Sequence, residues 1–537
     1  MHLGIDFGTT RTVVASCDRG NYPVASFQSE DGDYVEWYPS IIAERGGELR
    51  FGWAAAAMVS DRSWSVVRSF KRFLSDPHMR SDLKVRAGSS DIPLFDLLVG
   101  FLSALNRDLR MHSNLREALA DVDRIPAMIA TPANAHGTQR FFTIEAFRRA
   151  GFDVLALLNE PSAAGFEYAH RYRSSITSKR EHIVVYDLGG GTFDASLVRM
   201  KGQHHDVAFT SGVTRLGGDD FDEVLADLVL GQMGMTDAGV RGPFFEDESM
   251  RRRLLDVCRE SKEALGQASR RVLVDVESAM GSAAPVLEVA LPASTFYDAC
   301  AGLIDHTIDS MMRVVGHDDG VDGGVPGMSG VAGIYVVGGA SVLPAVGRAL
   351  RNRFGRRVHR SPYPSAAIAI GLAIAGDKEA GFRLTDRFSR AFGVFRELRD
   401  GTAVSFDTIF DKDARVPAPD EPVVSSTRAY RSVHNIGHFR YVECDSVDAS
   451  GGPCGDITPL ADAVFPFDPS LRGQQDSLLG VPIARIDGDG FRIEECYTID
   501  SNGIVAVLIR NVDAGYERAF KLWDLQLVDD RLRASDG

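Results

Sequence analysis

The stretch VVYDLGGGTFDASLVRM, residues 184–200, decides how this chain folds. The apolar run Ile183 to Tyr186 suits a buried strand, and Ala195 to Val198 suits its returning partner. Between them stand an acid, three consecutive glycines, a threonine and a second acid. Gly189, Gly190 and Gly191 let backbone N–H groups approach an anion where any Cβ would intrude, and such N–H concavities bind phosphate. Asp187 cannot comfortably face a bare polyphosphate, but it can hold a hard divalent cation through water while phosphates take the other side. A Mg-nucleotide is the natural ligand of this pattern. Taken alone, three glycines fit an ordinary tight hairpin equally well.

A second stretch, GIDFGTTRTVVAS at residues 4–16, follows the same plan: strand, Asp6, Gly8, Thr9 and Thr10, then strand. Two such hairpins about 180 residues apart predict a duplicated domain whose halves face one nucleotide across a cleft.

The whole chain sets bounds. At 537 residues it is too long for one core and favours three or four structural units. Apolar content of 44% makes it globular, and a formal net charge of −15 argues against nucleic acid as a partner. Met-His-Leu-Gly leads straight into a strand with no basic and apolar leader, so a cytoplasmic location is expected. The small apolar run Ala366 to Ala375 is too short to span a bilayer, so no membrane partner is expected. Cys17, Cys258, Cys300, Cys444, Cys454 and Cys496 show neither CxxC nor zinc spacing and read as reduced thiols. Cys444 and Cys454 form the only near pair, in a loop-like stretch.

In chain order, residues 18–21 read as a turn and YPVASF (22–27) as a third strand. Residues 54–74 show helical spacing, with Lys71 and Arg72 beside the apolar stripe as a solvated basic pair. A helical pattern from Leu94 to Leu119 precedes a buried strand, 127–133, and an amphipathic helix, 136–151, ended by Gly151. Residues 154–169 give a strand, a polar corner at Asn159-Glu160-Pro161 and a new helix. Glu160 thus sits at a strand end, where α/β folds place functional groups. LGGDDFDEVLADLVL (216–230) is a glycine turn, Gly217-Gly218, followed by a helix with acids in its first turn. Residues 250–266 form another helix, with Arg259, Lys262 and Glu263 off its apolar face. Gly316 to Gly333 reads as a loop, and 334–350 as strand, glycine turn and helix, where Gly338 and Gly339 suit a nucleoside lying against the backbone.

Beyond Gly376 strand-like runs take over: AFGVFREL, AVSFDTIF, VVSSTRAYRSV, FRYVEC, FRIEECYTI, GIVAVLIR and ERAFKLWDL. They predict a β-sandwich domain, with Asn502-Gly503 as a hairpin turn.

Together GIDFGTT, DLGGGTFD, TPANAHGTQR with NEPSAAG, LGGDDFD and VVGGASVLP resemble the motifs of the Hsp70 chaperone family, within the actin, hexokinase and Hsp70 ATPase superfamily. The fold implied is α/β: a two-lobed actin-like ATPase domain, a duplicated ribonuclease-H-like fold, followed by an all-β sandwich. The division implied is 1–376 for the ATPase domain, 377–390 for a linker, 391–527 for the sandwich and 528–537 for a tail. FRIEECYTIDSNGIVAVLI is similar to the family's substrate-domain stretch.

The resemblance also implies roles. Asp6 and Asp187 would hold Mg2+ through water, and Thr9, Thr10 and Thr192 would contact the phosphates of ATP or ADP. Lys71 matches the family's catalytic lysine, which reverses the solvated reading. Glu160 and Asp194 would position metal and water beside it, and Pro132 matches a proline relaying nucleotide state between domains. Lys262 is kept among the nucleoside contacts. Several positions depart from the family. Glu263 and Val342 stand where two arginines sandwich adenine, Arg259 where an acid is usual, and Gly266 where a serine is usual. The linker GFRLTDRFSR lacks the acidic-then-leucine run, and ten residues after the sandwich cannot build a helical lid. The expected function is slow ATP hydrolysis coupled to a domain that binds an unfolded or specific client protein or peptide, with a co-chaperone as a further partner. The alternatives are a nucleotide-binding regulatory or scaffold protein with little hydrolysis, and a small-molecule kinase.

Overall fold

The first glycine hairpin folds as β1 (Leu3–Phe7) and β2 (Arg11–Ser16), antiparallel, with Asp6 opposite Val13. In this computed structural model β2 continues to β3 (Tyr38–Pro39), while β1 lies parallel to β4 (Ile125–Thr131) and β4 to β5 (Phe152–Asn159). The second hairpin, β6 (His182–Leu188) and β7 (Phe193–Lys201), builds the same thing again. β8 (His204–Val213) flanks β7, and β9 (Val331–Val337) and β10 (Val358–Arg360) run parallel beyond β6. The sheet orders are β5-β4-β1-β2-β3 and β10-β9-β6-β7-β8, with β11 (Arg383–Thr385) added at the edge of the second. This is the duplication that the two hairpin motifs predict. The structure describes residues 1–522 except 29–31, 60, 62, 77–82, 134, 178, 202–203, 214–215, 236–247, 282–283, 317–327, 329, 382, 386–387, 389, 399–401, 413, 419–420 and 474.

Helices cover the sheets: α1 (Leu94–Met111), α2 (Gly137–Arg149), α3 (Glu160–Tyr172), α4 (Gly218–Gln232), α5 (Glu248–Glu263), α6 (Ala293–Val315), α7 (Pro344–Phe354) and α8 (Ala367–Gly376). In the first lobe α1 and α2 bury Phe101 and Phe147 against Phe7, with ring centroids 5.5 and 6.4 Å away. The second lobe has its own core, in which β9 is buried along its whole length, as a parallel strand covered on both faces must be. A third core lies where α3 and α8 cross between the two sheets. AIAIGLAIAG has no polar face because α8 has no solvent face. A Cβ on Gly371 would lie 1.8 Å from the carbonyl oxygen of Ala163, so only glycine lets the two helices cross this closely.

The sandwich pairs β12 (Ala391–Leu398), β13 (Ala403–Phe410), β15 (Ile436–Val447) and β16 (Pro453–Pro466) in the order β13-β12-β15-β16. It faces β14 (Val424–Arg431), β17 (Arg492–Ile499), β18 (Val505–Asn511) and β19 (Tyr516–Lys521), in the order β14-β17-β18-β19. RIEECYTI alternates buried with less buried residues along β17, and Ile493, Tyr497 and Ile499 meet Phe392, Tyr441 and Phe465 in the core.

Several expectations need correction. Residues 54–74 are not one helix: Trp53–Ala56 is a single helical turn, Ser65–Arg68 is a strand paired with Ile41–Arg45, and Phe70–Ser75 is a 3-10 turn. The β-branched pair Val66-Val67 takes the strand because Ile42 and Ala43 offer it a ladder. YPVASF is not one continuous strand: Val24 bridges to Ala15, Phe27 pairs with Val35 and bridges to Ser113, and β3 takes the place beside β2; Pro23 cannot donate to a ladder. The pattern to Leu119 is helical only to Met111. Val331, Ala332 and Gly333 belong to β9, while most of the expected loop before them lies outside the described residues. Cys444 and Cys454 lie in β15 and β16, not in a loop. Arg383–Thr385, within the expected linker, pairs with β8. Among the described residues no helix is long and apolar enough to cross a membrane.

Candidate active site

The two hairpins point into a cleft of about 290 Å³ between the lobes. Asp6, Gly8, Thr9 and Thr10 line it from the first lobe, and Asp187, Gly189, Gly190 and Thr192 from the second. The hairpins approach so closely that a Cβ on Gly190 would lie 2.6 Å from Cγ2 of Thr10. Gly338, with φ 85°, follows β9, and a Cβ there would lie 2.4 Å from Oδ1 of Asp187. A Cβ on Gly339 would make only an ordinary contact, 3.6 Å from Ser365 Oγ, so that residue leaves open wall rather than filling a packing need.

The start of α4 is bound to the second loop. The amides of Gly218 and Asp219 donate to the carbonyls of Gly189 and Gly190 at 3.0 and 2.7 Å. Gly217 and Gly191 support the loop from behind and do not line the cleft. Gly217 packs on the Gly190 backbone, and the carbonyl of Gly191 accepts from Nη2 of Arg72 at 2.8 Å.

Beneath the loops the carboxyls of Asp6, Glu160, Asp187 and Asp194 gather around Lys71. Lys71 is 7% exposed, and Nζ donates to Oε1 of Glu160 at 3.1 Å while lying 5.4 Å from the centre of the Phe7 ring. The solvated reading of this lysine is therefore overturned by the structure. Burial and then Glu160 push the Asp6 carboxyl up to about 7 against the opposing pull of Lys71. Burial and then Glu160 push Asp194 to about 7 as well. Asp187 is held well above the ordinary carboxylate range by burial, Glu160, Asp194 and Asp6. Carboxyls that resist ionising together in this way are matched by a cation placed among them. Among the described residues no three His, Cys, Asp or Glu side chains converge to grip an ion directly. Asp6 and Asp187 do fit Mg2+, which keeps several of its waters and takes few carboxylates.

The nucleoside end differs. Lys262 donates to the Gly218 carbonyl and pairs with Asp222, both at 2.6 Å. Glu263 pairs across the cleft with Arg11, whose guanidinium lies 4.5 Å over the Trp37 ring. Val342 is 41% exposed on the opposite wall, beside Gly338 and Gly339. Arg259 binds Asp219 at 2.9 Å and Asp222 at 3.2 Å. Pro132 and Gln139 also line the cleft. Sequence reasoning placed the acids, Lys71, the threonines and Lys262 here, and missed Arg11, Arg72, Asp219 and Gln139. Arg72 was within reach as the neighbour of Lys71, but Arg11 meets Glu263, and Asp219 meets Ser69, only across the cleft.

Two lobes of duplicated sheets closing over glycine hairpins, followed by a β-sandwich, define an actin-like ATPase fold joined to an all-β domain. The chain belongs to the Hsp70 family: the family model described as Hsp70 protein matches residues 110–432. It is 33% identical over 389 residues to the chaperone protein HscA of Cronobacter sakazakii (strain ATCC BAA-894), over 70% of this chain. The match covers 57% of that relative's length.

Proposed function

We propose that this chain binds Mg-ATP between its lobes, hydrolyses it slowly, and couples nucleotide state to a sandwich that holds a client peptide or protein. A co-chaperone would be a further partner. The observation that carries the reading is Lys71, buried on Glu160 among Asp6, Asp187 and Asp194 beneath two glycine hairpins. The proposed division is residues 1–376, 377–390, 391–527 and 528–537.

Backbone amides of Gly8, Gly189 and Gly190, with Thr9, Thr10 and Thr192, would receive the phosphates, while Gly191 would hold the loop's shape from behind. Gly218, Lys262, Gly338 and Gly339 would hold the nucleoside, with Gly217 packed behind them on Gly190. Asp6 and Asp187 would hold Mg2+ through water; the ion would neutralise charge between the phosphates. Lys71 would stabilise charge developing on the γ-phosphate, while Glu160 and Asp194 would accept hydrogen bonds from the attacking water and orient it. Phosphoryl transfer asks mainly for placement and electrostatics, which these groups supply. Coupling is supported by two ties between α2 and the sandwich: the Gly137 amide donates to Glu443, and Arg140 to the Asn502 carbonyl.

A nucleotide-gated scaffold is the second reading, favoured by one observation. Glu263 is engaged by Arg11 and Val342 is short, so neither clamps a base as an arginine would. A sugar or small-acid kinase has no evident use for the sandwich.

Phosphate release from Mg-ATP, with no other substrate, decides among them. Slow release by the wild type and none by Lys71→Ala is expected. Nucleotide binding without release would favour the scaffold, and release dependent on an added sugar or acid would favour the kinase.

A further inference from the structure

Ser69 is one of two non-glycine residues with positive φ among the described residues, at φ 54° and ψ 26°. The other, Arg19, sits in the exposed turn after β2. Left-handed backbone is unfavourable for a residue with a Cβ and persists where surroundings hold it. Ser69 opens the 3-10 turn Phe70–Ser75, yet its hydroxyl makes no capping bond within that turn. It donates instead to Oδ2 of Asp219 at 2.9 Å.

Asp219 is itself firmly placed. Its amide donates to the Gly190 carbonyl, its Oδ1 accepts from Arg259 at 2.9 Å, and Arg72 stands 3.4 Å from Oδ2. Ser69 belongs to the first lobe and Asp219 to the second, so this bond joins the lobes over the cleft. Two residues after Ser69 comes Lys71, whose ammonium must reach Glu160.

We propose that Asp219 is a positioning residue for Lys71, acting across the cleft by holding Ser69 in the left-handed conformation that starts the lysine's turn. Closing the lobes makes the bond, the bond fixes the turn, and the turn delivers the ammonium to Glu160. Opening the lobes breaks the bond and releases the turn. The kinetic part of this inference rests on the ATPase reading above; the geometric part does not.

The test compares Ser69→Ala, which loses the bond and keeps the Cβ, with Ser69→Gly, which takes this backbone freely. Two readouts are used on the full chain. The first is labelling of Lys71 by an amine-reactive reagent, followed by mass spectrometry, with Lys262 as a buried control. The second is phosphate release under kcat and KM conditions. Ser69→Ala and Asp219→Ala should each raise Lys71 labelling several-fold and lower kcat about tenfold, the equivalent of about 1.4 kcal/mol, with little change in KM. Ser69→Gly placed in the Asp219→Ala protein should return labelling and kcat toward the wild type. Should Asp219→Ala fail to fold, marked by a rise at Lys262 too, Ser69→Ala against Ser69→Gly decides alone. Wild-type labelling of Lys71 in Ser69→Ala, or equal impairment by alanine and glycine, would overturn the inference. A wild type that releases no phosphate would defeat the ATPase reading instead, and the labelling would still decide this one.

Discussion

Asp187 and Asp194 stand directly opposite one another across the second glycine hairpin, paired in register between β6 and β7. Opposed residues of an antiparallel pair project to the same side of the sheet, so two carboxyls share one buried space, an unfavourable arrangement for like charges. Burial then keeps Asp6 and Asp194 protonated up to about 7. In the folded protein without metal these groups hold protons at pH values where the unfolded chain has lost them. Stability from this cluster is therefore greatest below the ordinary carboxylate range and falls as pH rises through about 4 to 7. The penalty above pH 7 is roughly 1–4 kcal/mol for a single such group. Melts in chelator should show Tm declining across that window, Mg-ADP should recover most of the loss, and Asp194→Asn should flatten the slope. A difference between wild type and Asp194→Asn that is independent of pH would refute this account.

At the nucleoside end, Val342 lies 41% exposed on the cleft wall with room before it. An arginine there would lay its guanidinium plane over a bound base, a contact worth about 0.5–2 kcal/mol. Val342→Arg should tighten binding of Mg-ADP about 2- to 30-fold by calorimetry, and leave binding of a tripolyphosphate that lacks a base unchanged. Equal gains for both ligands would mean that charge alone, and not stacking, is responsible.

The hairpins were legible because their chemistry is local. An acid, glycines and a threonine between two apolar runs specify turn, strand and anion site within about a dozen residues. The corner at Asn159-Glu160-Pro161 was legible for the same reason, with proline in the first turn of α3. What escaped was set by distant partners. Val66 and Val67 carry a helical spacing and become a strand because Ile42 and Ala43 pair with them. β16 was passed over because Pro453, Gly455 and Pro459 break its alternation, and its pairing with β15 shifts register twice. Arg11 and Ser69 are unremarkable residues until the second lobe brings Glu263 and Asp219 to meet them, 252 and 150 residues later.

The contact between α2 and the sandwich makes a prediction about coupling. Arg140 donates to the Asn502 carbonyl at 2.9 Å and to Asn159 at 2.8 Å, and the Leu157 amide donates to the Asn502 side chain. Gly503 has φ 70°, which a tight hairpin tip requires, and that tip is what α2 receives. Glu443, fully buried, accepts from the Gly137 amide at 2.8 Å, a carboxyl at a helix N-terminus. Arg140→Ala should undock the sandwich by removing the bond to Asn502. The expected signs are faster proteolysis within residues 377–390 and a larger radius of gyration in solution scattering, with Mg-ADP affinity changed less than about threefold. Unchanged proteolysis and scattering would mean that these bonds do not hold the two parts together.

Inside the sandwich, Glu495 has no exposed surface, and its carboxylate is fully occupied. Arg396 donates to both oxygens at 3.1 and 2.7 Å, and the hydroxyls of Tyr430 and Tyr497 complete the set from two further positions. Arg396 comes from one sheet and Glu495 from the other, so the pair ties the sheets together through the core. Removing Glu495 leaves two hydroxyls without their acceptor and the Arg396 guanidinium with Asp407 alone, 2.7 Å from its Nε. Glu495→Ala should therefore cost about 3–5 kcal/mol. Glu495→Gln keeps the shape and one acceptor and should cost less, about 1–3 kcal/mol. Trp37, Trp53 and Trp64 lie in the first lobe and the fourth tryptophan, Trp523, follows β19, so in a Trp523→Phe background tryptophan fluorescence reports on the first lobe. Nine of the thirteen tyrosines precede residue 391, so the sandwich is followed instead by hydrogen exchange of peptides from β12 to β19, read by mass spectrometry. In urea the sandwich transition should move to lower denaturant in Glu495→Ala while the tryptophan transition moves less. A sandwich transition within about 1 kcal/mol of the wild type would show that the network is not what holds the two sheets in register.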